Sequence, residues 1–348
     1  MRRETEKIYS RLGDELSKQI FESRLLYSLT DNQKHIDNIV EISQELRKRK
    51  EHILSQLQGK DVVVYGAGAL GLLFIEAFGE LVKIIEYCDR DKEKQKTGFC
   101  GYQVISMTDL TCKHSTNQIV LAIGDYKEVL KTLIDNGFHK ESILILSEYF
   151  PTIFDTQYFD KSIPLLHKSG DVFVDAGCLD CSTILHYIRW SNDTYKKIIA
   201  FEPSALQHKV CVEKLKDIRD VTIYPYALWN ENTSVSFHNE QDPQASHIIQ
   251  VPSLQLEIDK VKAVKLDDIL ERAEVNYLKM DIEGAELNAL LGSECTILNY
   301  RPKLAICVYH KPEDIIEIPS YILSLHSDYT LYLRHYSFYY SETILYAV

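Results

Sequence analysis

Residues 171–204, DVFVDAGCLDCSTILHYIRWSNDTYKKIIAFEPS, decide how the rest of the chain is read. Val172, Phe173 and Val174 form a short apolar run that stops at Asp175, and Gly177 follows where the backbone must turn sharply with no Cβ in the way. Apolar positions at Ile184, Leu185 and Ile188 then carry a helix, and Ile198 to Phe201 form a second strand that ends at Glu202. Strand, turn, helix and strand make half of a doubly wound α/β sheet, whose ligands lie beyond the carboxyl ends of the strands. Asp175, Ala176, Gly177 and Glu202 are therefore expected around one crevice. Glu202 suits a ribose, because a carboxylate accepts hydrogen bonds from two adjacent hydroxyls at once.

The turn also restricts the ligand. A pyrophosphate needs GxGxxG, so that backbone amides come close to the phosphates. Here a single glycine, Gly177, is followed by Cys178, Leu179, Asp180, Cys181 and Ser182, and the acidic Asp180 repels phosphate. S-adenosylmethionine fits such a turn: it has a ribose for Glu202, no phosphate, an ammonium and a sulfonium.

Six motifs run in one order: FVDAGCLDCST, IIAFEPS, YPYALWNENTSVSF, VKLDDIL, YLKMDIEGAELNALLG and RPKLAICVYHKPEDI. Together they resemble the FkbM family of S-adenosylmethionine-dependent methyltransferases, from about residue 165 to residue 348. Cys181 departs from the family, which more often has glycine there. The resemblance implies a class I methyltransferase Rossmann-like sheet with an antiparallel C-terminal hairpin, and a sugar, glycan or secondary-metabolite hydroxyl as acceptor. It also places Ala227 beside the adenine.

The residues themselves add candidates at the same face. Asp281 ends the strand of Tyr277, Leu278 and Met280, and could hold the cofactor's ammonium, approach an acceptor hydroxyl or coordinate a metal, although no ligand set claims one. Glu283 and Glu286 follow at the start of a helix, where carboxylates favour the positive end of the dipole. His310 ends the strand Leu304–Val308 and, with a near-neutral pKa, suits a general base. Arg334, His335 and Tyr336 either line the acceptor site or are simply exposed.

The remainder of the chain reads as two further segments. Residues 1–58 carry two amphipathic helices that pack on the body or pair two subunits as a homodimer. Residues 59–150 form a smaller Rossmann-like α/β domain of about four strands, with Gly66, Gly68 and Gly71 in GAGALG and Asp89 ending the next strand. That unit resembles the small nucleotide-binding domain of sugar acyltransferases, which implies a nucleotide-sugar; NAD and a purely packing role for the glycines are the alternatives. Residues 151–348 are the methyltransferase-like domain, and the polar stretch 230–262 either covers substrate or forms an exposed hairpin.

Composition excludes some classes. A chain of 348 residues is long enough for two domains. A net charge of −12 disfavours a nucleic-acid partner. No apolar run approaches the length of a membrane span and the start has no apolar leader core, so a cytoplasmic location is expected. Most of the eight cysteines sit in apolar or strand-like surroundings, as expected of reduced, buried thiols; Cys178 and Cys181 spell CxxC, for which a redox or zinc role is the alternative, but no second pair completes a metal site.

Overall fold

The structure, a computed structural model, describes residues 2–149, 156–238, 247–249, 258–271 and 273–348. The chain divides into two compact units. One comprises Met1–His35, Thr156–His335 and Tyr340–Val348, the other Ile36–Asp155 and Tyr336–Tyr339.

Four helices open the chain where two were expected: α1 (Arg2–Arg11), α2 (Glu15–Thr30), α3 (Lys34–Ile42) and α4 (Gln44–Leu57). The break after α2 falls at Asp31, which takes a left-handed φ of 51°. The helical segment is not one domain: α1 and α2 belong to the first unit, whereas α3 falls almost wholly and α4 entirely in the second. The second unit continues with β1 (Asp61–Tyr65), β2 (Lys83–Cys88), β3 (Val104–Ile105), β4 (Gln118–Leu121) and β5 (Ile143–Ile145), all parallel, in the order β3-β2-β1-β4-β5. The sequence showed about four of these five strands.

In the first unit, β6 (Val172–Ala176), β7 (Lys197–Phe201) and β8 (Val221–Tyr224) run parallel with their crossover helices between them, because every residue of β6 is buried and both faces need cover. A smaller sheet is formed by β9 (Ala227–Leu228), β10 (Thr233–His238), β11 (His247–Ile249) and β12 (Ile258–Val264). The main sheet resumes with β13 (Tyr277–Met280), β14 (Lys303–Cys307), β15 (Leu331–His335) and β16 (Thr343–Ala347). Its order is β15-β16-β14-β13-β6-β7-β8, with β16 antiparallel to both neighbours, as the C-terminal hairpin required.

An aromatic layer fixes β6 and β13. Phe173 stacks on Tyr187 at 4.2 Å between ring centres, and Phe159 packs edge-on against Tyr277 at 5.8 Å. On the far edge, α1 and α2 are pinned to β15 by bonds from Gly13 N to Leu331 O (2.8 Å) and from Leu333 N to Ser17 Oγ (2.9 Å). Their apolar residues Ile8, Ile20 and Phe21 are thereby buried. Arg334 is buried too, held by Asp14 at 2.6 Å and by Ser162 at 3.0 Å, and His335 bonds Thr343 at 2.8 Å. Both are framework residues, and Tyr336 is buried as well, so none of the three is an exposed polar position. Among the described residues no helix is long and apolar enough to cross a membrane.

Candidate active site

The turn after β6 is built by contact with β13. Gly177 has φ +78°, and a Cβ there would lie 1.9 Å from the Asp281 carbonyl oxygen, so only glycine lets the two strand ends approach. The N–H groups of Gly177 and Cys178 both donate to Phe201 O, at 3.0 and 3.2 Å. Glu202 then closes the loop: Oε2 accepts from Leu179 N (3.0 Å) and Oε1 from Ser204 N (2.8 Å). This carboxyl is only 5% exposed, and burial pushes its pKa up to about 7 against the pull of the two backbone donors.

Cys181 adopts a left-handed φ of 66°, the conformation that a glycine would take freely, and its sulfur is joined to Cys211 in the helix Ala205–Leu215. A reading of Cys181 and Cys211 as reduced thiols is corrected here. The two residues are 30 apart in sequence, so the pairing was invisible to CxxC spacing.

Asp175 does not open into the crevice with Glu202. It is wholly buried and pairs with Lys279 at 3.0 Å. The Lys279 ammonium also donates to Ala176 O (3.2 Å) and Gly177 O (2.8 Å), so the pair fastens the turn from beneath. Burial raises the Asp175 carboxyl, and its attraction to Asp175 keeps Lys279 protonated despite burial. Sequence reading passed over Lys279, although a lysine inside an otherwise apolar strand is itself a signal for a buried partner. Ala176 ends β6 fully buried, and Ala227 lies in β9, paired with Ala263 of β12.

Asp281 follows β13 and is a quarter exposed. Its Oδ2 accepts from the Tyr158 hydroxyl at 2.8 Å and its Oδ1 from the Tyr309 hydroxyl at 3.2 Å. Burial works to raise this carboxyl, but the positive charges of Lys279 and His310 outweigh it and hold the pKa below the ordinary value. Left-handed φ angles at Glu283 (55°) and Gly284 (89°) then fold the chain back, so that Asp281, Glu283 and Glu286 all face His310. Glu286 Oε1 is 3.0 Å from Nδ1; Glu283 Oε2 and Asp281 Oδ1 are 3.2 and 3.6 Å from Nε2. Burial alone would lower the imidazole, yet the three carboxylates carry its pKa well above the usual value. A near-neutral histidine base is therefore not what surrounds this ring. Tyr158 and Tyr309 carry no recognisable spacing, and only the fold assembles them.

In the second unit a Cβ on Gly66 would meet Ala122 O at 2.5 Å, and one on Gly71 would meet Gly66 O at 2.1 Å. These two glycines serve close packing, whereas Gly68 has open space around it. Asp89 is occupied in holding the turn, accepting from Ala67 N at 2.8 Å and Asp91 N at 2.9 Å. Of the expected substrate cover, 239–246 and 250–257 lie outside the described residues.

A strand-end carboxylate with lone pairs left for a ribose, a glycine turn with no room for a side chain, and an adjoining acid match S-adenosylmethionine by donor chemistry. The parallel sheet closed by an antiparallel seventh strand defines a class I S-adenosylmethionine-dependent methyltransferase. Residues 172–340 match the family described as the methyltransferase FkbM domain. The chain thus carries an FkbM methyltransferase domain over residues 172–340. The FkbM methyltransferase from Methylobacillus flagellatus shares the fold at 18% identity and a TM-score of 0.51, over 92% of this chain and 100% of that one. Weaker likenesses include Aeropyrum pernix fibrillarin in complex with S-adenosyl-L-methionine (12% identity, TM-score 0.34, 53% and 69% covered). Another is a putative methyltransferase from Streptococcus mutans in complex with SAH (12%, 0.32, 52% and 90%). No curated protein matches the chain.

Proposed function

We propose that the chain methylates a hydroxyl of a sugar, glycan or secondary metabolite, with the reacting atoms beside Asp281. When bound, S-adenosylmethionine supplies an electrophilic methyl group on a sulfonium. Glu202 would hold the ribose, with Gly177 and Ala227 lining the nucleoside side. The single observation that carries the acceptor reading is Asp281: a partly exposed carboxylate, fixed by two tyrosine hydroxyls, next to the Gly177 turn. Asp281 can accept the hydrogen of an incoming hydroxyl and so orient its oxygen for in-line attack, which is the main task in a displacement of this kind. His310 supports it from behind by fixing the three carboxylates.

Incubation with an isotopically labelled methyl donor and a panel of sugars, glycans and polyol metabolites tests this reading. Label transferred to oxygen, and lost in Asp281→Asn with S-adenosylhomocysteine binding retained, supports it; transfer to nitrogen refutes the acceptor class. A second reading, a nucleotide-sugar held at the Gly66–Gly71 turn, draws on the open space at Gly68. Saturable binding of a nucleotide-sugar that Gly68→Val abolishes would support it.

A further inference from the structure

Asp281, Glu286 and His310 each present a ligand atom within 4.8 Å of the others. Two features separate this group from an ordinary ion-pair cluster. Glu286 is wholly buried; its Oε1 accepts from Ile282 N at 2.9 Å, but its Oε2 has no hydrogen-bond partner. His310 is only 9% exposed, and its two ring nitrogens face carboxylate oxygens at 3.0 to 3.6 Å. A buried polar atom without a partner is costly, and an ion is one of the few things that removes the cost. The backbone contributes as well. Two successive left-handed residues, one of them Glu283 and not glycine, bend DIEGAE so that its acids converge on the ring.

We propose that Asp281, Glu286 and His310 bind a divalent first-row transition-metal ion. One imidazole nitrogen with two carboxylates is a donor set for Mn²⁺, Fe²⁺ or Zn²⁺, harder than a thiolate site and more nitrogen-rich than a calcium site. Three protein ligands leave positions open for water and for an acceptor oxygen. Glu283, about a third exposed and 3.2 Å from His310 Nε2, is placed to receive a hydrogen bond from a metal-bound water. Its role in catalysis rests on the methyltransferase reading: an ion here would bind the acceptor hydroxyl and lower its pKa, with Asp281 shared between metal and acceptor. Its existence does not rest on that reading.

The full chain, stripped with a chelator and titrated with Mn²⁺, tests the site by electron paramagnetic resonance. We expect one saturable site with a Kd below about 100 μM and an electron spin-echo nitrogen coupling from imidazole. In His310→Gln the coupling should disappear, and in both His310→Gln and Glu286→Gln affinity should fall at least about tenfold. S-adenosylhomocysteine binding on the same samples reports whether each variant is folded. No saturation of the wild-type chain by about 1 mM Mn²⁺, or a nitrogen coupling unchanged in folded His310→Gln, overturns the site. Should both variants fail to fold, the wild-type spectrum decides alone, and absence of the nitrogen coupling overturns it. Saturable Mn²⁺ binding with nitrogen coupling but no S-adenosylhomocysteine binding upholds the metal site and sinks the methyltransferase reading instead.

Discussion

Replacing Gly177 by alanine tests how the cofactor turn is built. The added Cβ would sit 1.9 Å from the Asp281 carbonyl oxygen, 3.0 Å from its carbon and 3.1 Å from Ile282 Cγ2, and two of these three atoms are backbone. A φ of +78° costs an L-residue about 1–2 kcal/mol. Relief by moving the turn breaks the bond from Asp281 N to Ala176 O (3.1 Å), about 1 kcal/mol more, and the residual overpacking adds about 1–3 kcal/mol. The sum, about 3–6 kcal/mol, should lower the melting temperature of this unit by on the order of 10 °C. Because Leu179 and Glu202 ride on the same loop, affinity for S-adenosylhomocysteine should fall at least about tenfold, the equivalent of 1.4 kcal/mol. Differential scanning calorimetry and isothermal titration measure the two effects, with Gly68→Ala, which meets nothing within 4 Å, as the control. A Gly177→Ala chain that melts within about 1 °C of wild type and binds the ligand unchanged would refute the reasoning.

Three other outcomes follow from the same geometry. Glu202 rises from an ordinary value of 4.5 to about 7, so the folded chain takes up a proton there between those limits. Its contribution to stability is greatest below 4.5 and is lost as pH climbs through 7, by about 3 kcal/mol relative to Glu202→Gln in denaturant titrations across that range. Ribose hydroxyls favour the ionised form, so titration of S-adenosylhomocysteine near pH 6 in buffers of different ionisation enthalpy should show proton release; proton uptake would contradict the assignment. Lys279→Met leaves Asp175 buried and uncompensated and should cost about 3–5 kcal/mol, whereas Asp175→Asn with Lys279→Met should recover most of it; equal losses would show that the pair is not coupled. The Cys181–Cys211 bond closes a 30-residue separation, so dithiothreitol should lower stability by about 3–4 kcal/mol, and alkylation mapping should find both cysteines protected before reduction.

Much of this was legible in the chain because local rules govern it. The two strands, the obligatory Gly177 and the carboxylate of Glu202 each follow from apolar runs, turn chemistry and strand-end position, although β6 runs past Asp175 to Ala176. The hairpin of β15 and β16 was expected from the family resemblance. What escaped depends on pairs far apart in sequence. Asp175 read as a site acid because its partner, Lys279, lies 104 positions on, and burial of the pair is a property of the assembled sheet. His310 read as a free base because nothing local announces that DIEGAE turns three carboxylates upon it. Tyr158, in a connection broken by prolines, gave no periodic signal, yet its hydroxyl fixes Asp281. The two extra helices near the amino terminus arise from breaks at Gly13 and Ser43, where short polar residues interrupt an apolar pattern that looks continuous.

The central claim is that the crevice formed by Gly177 and Glu202 holds S-adenosylmethionine. Native mass spectrometry of the intact chain with added S-adenosylhomocysteine tests it most directly, with Glu202→Ala alongside. The account predicts a single adduct of that mass on the wild-type chain and its loss from the variant. No adduct on the wild type, or an adduct of equal strength on Glu202→Ala, would contradict it.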